Sequence, residues 1–201
     1  MASLTLEQQY ALNLITLNSD KGGVVFVHGG PGVGKSNVVK ALVQQCQQAG
    51  TLRVAAMTGK AAYPIGGATA HSAFLLGRAK KGRPTPAFSE METGRLVDGL
   101  HGVEYVLIDE ASMCGTVYLE ELERNLRAGR KSDDPKRKLW FGGFRVVFVG
   151  DFAQCPPIKS GAVMIEHHWF KSLERWSTSF TCTASAKPGS STCSRQFATA
   201  K

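Results

Sequence analysis

The sequence predicts an α/β fold, a doubly wound parallel sheet with flanking helices, and three observations lead there. Short continuous apolar runs recur along the chain, as strands of a sheet covered on both faces require. Stretches with apolar residues at helical spacing separate most of these runs. A glycine-rich turn joins the first run to the helix after it, beyond the carboxyl end of a strand, where open α/β sheets bind ligands.

The elements follow in order. Residues 6–16 read as a helix, because Tyr10, Ala11, Leu14 and Ile15 fall on one face and Thr5 is placed to cap it. Residues 24–27 form a β-branched and aromatic strand, and 36–48 an apolar-periodic helix. Buried strands are expected at 53–57, 105–108 and 145–149. Residues 116–127 place Leu119, Leu122 and Leu126 on one side, with Glu120 and Arg124, and Glu123 and Arg127, at the supportive i,i+4 spacing outside. That pattern predicts an amphipathic surface helix. The basic, turn-rich stretches 77–86 and 129–138 read as solvated loops. One domain is expected over residues 1–176. Residues 177–201, rich in Ser, Thr and small side chains and broken by Lys187-Pro188-Gly189-Ser190, are expected to be an irregular, disordered or truncated tail.

Composition sets the bounds. A chain of 201 residues has room for one α/β domain but hardly for two. No apolar run is long enough to cross a bilayer, and the first residues lack the pattern of a secretory signal, so an intracellular protein without a membrane partner is expected. The five cysteines show no CxxC spacing, which favours reduced thiols over a zinc site or a disulfide framework. A formal charge of +8 suits a polyanionic partner without specifying one.

Gly29-Gly30-Pro31-Gly32-Val33-Gly34-Lys35-Ser36 matches the phosphate-loop pattern GxxxxGK(S/T) and lies between a strand and a helix, as its mechanism demands. The glycines let the backbone curl until several N–H groups point inward, and the helix dipole adds positive potential to the same cradle. Lys35 would neutralise the β- and γ-phosphates of ATP, while the Ser36 hydroxyl would supply one ligand to Mg2+. The alternative, a glycine-rich turn with no ligand, leaves the full motif and its flanks unexplained. A P-loop NTPase is the expectation.

Residues 106–110, Val-Leu-Ile-Asp-Glu, are an apolar strand ending in two acids that emerge at the same sheet edge. Asp109 can hold the magnesium ion, leaving Glu110 to orient and deprotonate the attacking water. A solvated, acid-stabilised turn is the alternative, and the phosphate loop upstream argues against it. A further strand runs into Gly150-Asp151-Phe152-Ala153-Gln154, where Asp151 joins the nucleotide site and Gln154 suits a γ-phosphate sensor.

Together these motifs resemble superfamily 1 helicases, and most closely the Pif-type branch related to RecD. Thr58-Gly59-Lys60-Ala61-Ala62 followed by Gly67-Ala68-Thr69-Ala70-His71-Ser72 resembles that family's paired DNA-contacting segments. Asp109-Glu110-Ala111-Ser112-Met113 resembles its acidic motif, and Gly150-Asp151-Phe152-Ala153-Gln154-Cys155-Pro156-Pro157-Ile158 its third motif. The resemblance implies a RecA-like motor domain of an ATP-dependent DNA helicase, of 5′-to-3′ direction, contacting single-stranded DNA or a duplex–single-strand junction through Thr58, Gly59, Lys60, Thr69, His71 and Ser72. Small residues and hydroxyls there permit close approach to a sugar-phosphate backbone. The alternative is that Thr69 and His71 cap a helix. Leu4-Thr5-Leu6-Glu7-Gln8 resembles the family's opening segment, whose glutamine recognises adenine, although Thr5 and Gln8 also fit a capping box.

The match covers residues 4–169, the first of two motor domains. Motifs of the second are missing, and Ser194-Arg195-Gln196 resembles the next one only at its Arg-Gln. A second helicase domain on another chain is therefore a candidate partner, and low activity is expected of this chain alone. The competing readings are a nucleotide-dependent DNA- or partner-binding module that does not unwind, and another P-loop NTPase. An Asn-Lys-x-Asp guanine-recognition element is absent.

Overall fold

The computed structural model describes residues 4–16, 22–47, 49–77, 87–151 and 177–181. Helix α1 (Leu6–Thr16) leads into β1 (Gly23–His28), and α2 (Lys35–Gln47) into β2 (Leu52–Ala56). The short helix α3 (Gly59–Ala62) and a 3-10 turn (Tyr63–Ile65) precede β3 (Ala68–Thr69) and α4 (Ala70–Phe74). Then come α5 (Glu90–Gly99), β4 (Tyr105–Asp109), α6 (Thr116–Ala128), β5 (Arg145–Gly150) and β6 (Ser177–Thr181). The sheet order is β3-β2-β4-β5-β1-β6 and every pairing is parallel.

Strand alternation divides the core between two faces. Val24, Phe26, Val106, Ile108, Val146 and Phe148 point toward a cluster completed by Phe74, Leu100, Leu119, Leu122 and Leu126 from α4, the end of α5, and α6. Val25, Val27, Tyr105, Leu107, Val147 and Val149 point the other way, onto Ala11, Leu12, Ile15, Val38, Val39 and Leu42 of α1 and α2. Burial on both faces explains why these strands read as unbroken apolar runs.

The expected doubly wound sheet is present, and the predicted strands and helices lie within a residue or two of their observed ends. Two expectations are corrected. The boundary after residue 176 does not hold for the sheet, because Ser177–Thr181 pairs with β1 as an edge strand; Arg195 and the rest of 182–201 lie outside the described residues. Helix α6 buries its leucines as expected, but Glu121, Glu123 and Asn125 are buried too, so it is not a simple surface helix. Glu121 accepts a hydrogen bond from the Gly77 N–H at 2.8 Å, and the Asn125 side-chain amide donates to the carbonyls of Phe74 at 2.7 Å and Leu75 at 3.2 Å. Arg127 lies 3.4 Å from Glu123, as the spacing predicts.

The second basic loop is solvated along most of its length, as expected, with Lys131, Ser132, Asp133, Lys136 and Lys138 exposed, and it is anchored by arginines. Arg130 sits 3.7 Å from the Phe144 ring centroid and donates to the Gly142 carbonyl at 2.9 Å. Arg127 donates to the carbonyls of Arg137 and Lys138. Most of the first basic loop, 78–86, lies outside the described residues. Helix α5 was not anticipated, although Ser89 and Glu92 form a reciprocal capping box at its start. Among the described residues, Cys46 and Cys114 are free and buried, and no helix is long and apolar enough to cross a membrane.

Candidate functional site

The carboxyl ends of β1, β4 and β5 converge at one edge of the sheet, because all three run parallel in register. β1 ends at His28, the chain turns through residues 29–34, and α2 starts at Lys35. Gly32 (φ 78°) and Gly34 (φ 86°) occupy backbone that side chains disfavour. The Lys35 ammonium donates to the carbonyls of Gly29 at 2.8 Å and Gly30 at 2.9 Å, which holds it across the mouth of the loop. Pro31 and Ser36 are exposed, and Val33 packs against the α1/α2 core.

Gln8 is buried against this loop, and a Cβ at Gly34 would collide with its side-chain nitrogen. Its carbonyl oxygen accepts from the Thr5 N–H at 3.1 Å, while the Gln8 N–H donates to the Thr5 hydroxyl at 3.2 Å. The capping box is therefore formed, and the same side chain also bounds the phosphate loop.

Asp109 closes β4 opposite Ala56, and its carboxylate accepts from the Glu110 N–H at 2.9 Å. Burial pushes the Asp109 carboxyl up from the ordinary range, opposed by the Glu110 N–H and by the charge of Lys35. Parallel strands one apart in the sheet bring the start of α2 and the end of β4 to the same edge. Glu110 sits in the left-handed region, at φ 56° and ψ 39°, before the tight turn Ala111–Met113. A glutamate there carries strain of roughly 1–3 kcal/mol, which the packing around it must hold.

The end of β5 explains a glycine. A Cβ on Gly150 would lie 3.0 Å from the Ser112 nitrogen and 3.1 Å from that of Ala111, so glycine lets the two strand ends approach. Asp151 follows, buried. His28 pairs with Gly150 across the sheet; burial lowers its pKa first, with Asp151 raising it and Lys35 lowering it further. His28 was missed in the sequence, where its only signal was a titratable residue at a strand end directly before the loop. Gln154 lies outside the described residues.

Thr58 and Thr69 follow β2 and occupy β3 at the same edge, with Ala56 opposite Thr69. Both cap helices: the Thr58 hydroxyl accepts from Ala61 N–H and the Thr69 hydroxyl from Ser72 N–H, each at 3.2 Å. The capping alternative for Thr69 is thus realised. His71 is half-buried, its ring edge-on to Tyr118 at 5.0 Å between centroids, whereas Gly59, Lys60 and Ser72 are exposed.

The curled loop, its lysine and the neighbouring strand-end acid define a P-loop nucleotide-binding domain of the RecA-like class. A family model described as PIF1-like helicase matches residues 3–182, and the chain belongs to that family. It is 37% identical over 155 residues to the ATP-dependent DNA helicase Pif1 of Bdellovibrio bacteriovorus, covering 77% of this chain and 33% of that protein. It is 34% identical over 158 residues to the ATP-dependent DNA helicase RRM3 of Saccharomyces cerevisiae, covering 77% of this chain and 21% of the relative. The structure resembles that of a Bacteroides Pif1 helicase in complex with ADP-AlF3 and single-stranded DNA, with a TM-score of 0.69, 30% identity, and coverage of 92% of this chain and 43% of the other. The chain therefore spans between a fifth and a third of these two relatives' length.

Proposed function

We propose that this chain binds ATP with magnesium and hydrolyses it as the first motor domain of a DNA helicase that grips single-stranded DNA. The observation that carries the reading is the convergence of Lys35, held over the glycine loop, with Asp109 and the strained Glu110 at the same carboxyl edge of the one sheet.

The donor set fits the nucleotide. Inward amides of residues 29–34 and the Lys35 ammonium suit β- and γ-phosphates. The Ser36 hydroxyl and the Asp109 carboxylate suit magnesium, which takes few protein ligands beside phosphate oxygens and water. Among the described residues there is no cluster of three or more His, Cys, Asp or Glu, so a transition-metal cage has no support there. Bound by Ser36 and Asp109, magnesium would supply charge neutralisation to the phosphates of ATP. The burial that raises Asp109 in the protein alone is offset when a cation faces it. Glu110 accepts the proton of the attacking water, Asp151 joins the nucleotide site from the end of β5, and Gln154 is the proposed γ-phosphate sensor. Gln8 is the proposed adenine contact, since it already bounds the loop.

ATP hydrolysis by the full chain, with and without single-stranded DNA, tests the reading. DNA is expected to stimulate turnover. Lys35→Ala is expected to weaken nucleotide binding, whereas Glu110→Gln keeps binding and blocks turnover. Equal loss of binding in both variants would overturn these roles.

A further inference from the structure

Tyr63 is 88% exposed, and no other large apolar side chain is exposed among residues 49–77. Its position is rigid. The turn Tyr63–Ile65 contains Pro64, and Gly66 closes it in the left-handed region, donating its N–H to the Tyr63 carbonyl at 3.2 Å. Gly67 donates to the Ala62 carbonyl at 3.0 Å, and a Cβ on Gly67 would meet the Val54 carbonyl at 2.8 Å, so the turn is pressed directly onto β2. Ile65 packs inward against the core shared with α1 and α2. Inward anchoring of Ile65 leaves the Tyr63 ring facing water.

Tyrosine ordinarily buries its ring and wets only its hydroxyl. A nearly bare ring on a pinned turn therefore has its ordering cost met in advance, as suits a contact residue with few rotatable bonds. Its surroundings point to the partner. Lys60, three residues back and on the same side of a helical turn, is exposed, as are Gly59, Pro64 and Gly66. A lone ring among a cation and small residues offers no contiguous apolar patch for a protein. It does match a polymer that alternates a flat π face with a negative charge.

We propose that Tyr63 is a stacking platform for an unpaired base of single-stranded nucleic acid, with Lys60 meeting the adjoining phosphate. The proposal rests on the DNA-binding reading above and adds a base contact that the threonines, committed to helix caps, do not supply.

Anisotropy titrations of the full chain compare labelled oligo(dT) with an abasic strand of equal length at several salt concentrations. The parent is expected to prefer oligo(dT). Tyr63→Ala is expected to lose roughly 5- to 100-fold in oligo(dT) affinity, to keep its abasic affinity and salt slope, and to melt at the parent's temperature. Tyr63→Trp is expected to restore the preference, while Lys60→Ala weakens both strands and flattens the salt slope by about one ion. If the preference for bases survives in Tyr63→Ala, or if that variant loses abasic binding equally, the stacking role is wrong. A parent that binds neither strand overturns the DNA reading itself, and the platform with it.

Discussion

Glu110 holds a backbone conformation that glycine adopts freely, yet a carboxylate stands there, beside a half-buried aspartate. Strain of this kind, roughly 1–3 kcal/mol, outweighs the 0.5–1 kcal/mol by which glycine destabilises a fold through its unfolded freedom. Glu110→Gly is therefore expected to stabilise the fold by about 1 kcal/mol in denaturant unfolding while abolishing hydrolysis. A destabilised variant would show that Glu110 contributes packing rather than strain. His28 gives a pH signature. Its pKa is lowered by burial, so the unfolded chain takes up the proton first; the stability it contributes is full above about pH 6.5 and lost as pH falls through the lower folded value. His28→Asn is expected to lose less melting temperature than the parent between pH 7.5 and 5.5. Parallel pH profiles would remove His28 from the account.

Helix α6 shows how far element-level reading reaches. Its leucine stripe announced the buried face, and Leu119, Leu122 and Leu126 lie in the core. Nothing in that stripe announced Asn125, which is fully buried because its amide satisfies the last carbonyls of α4, or Glu121, which holds the Gly77 N–H. Their partners lie 44 to 51 residues away, beyond any local period. Asn125→Ala is expected to cost roughly 2–3 kcal/mol, since one buried and one part-buried carbonyl lose their donor. A urea titration that moved by less than 0.5 kcal/mol would mean water replaces the amide. The β5 end makes a similar point: Gly150→Ala is expected to displace the Ala111–Ser112 backbone and to slow ATP turnover more than it lowers stability, measured side by side on one preparation.

At the scale of the molecule, one sheet edge gathers the phosphate loop, both acids and the exposed DNA candidates, while the two faces do nothing but bury core. An edge of that kind is half of a cleft. In P-loop enzymes an arginine supplied from outside the phosphate loop contributes roughly 10³–10⁵ in rate, and a second motor domain is where the other half of the cleft would come from. Steady-state hydrolysis by this chain is thus expected to fall short of that by the full-length Bdellovibrio relative by about that factor. Equal rates would mean that the charge is supplied from within these residues.

Local order in the chain was enough to determine four of the six strands, the main helices, and the strand ends at which the glycine loop and the acidic pair stand. Each is a short pattern whose meaning depends on neighbours within a few residues, and β-branched runs ending in Gly-rich or acidic turns admit few other folds. Only the packed molecule decided that Gln8 both caps its own helix and walls the loop, that His28 pairs with Gly150 beside Asp151, that Glu110 is strained, and that 177–181 completes the sheet. Those outcomes depend on strand register and helix packing between segments distant in sequence, and such distances leave no periodic trace in the residues themselves.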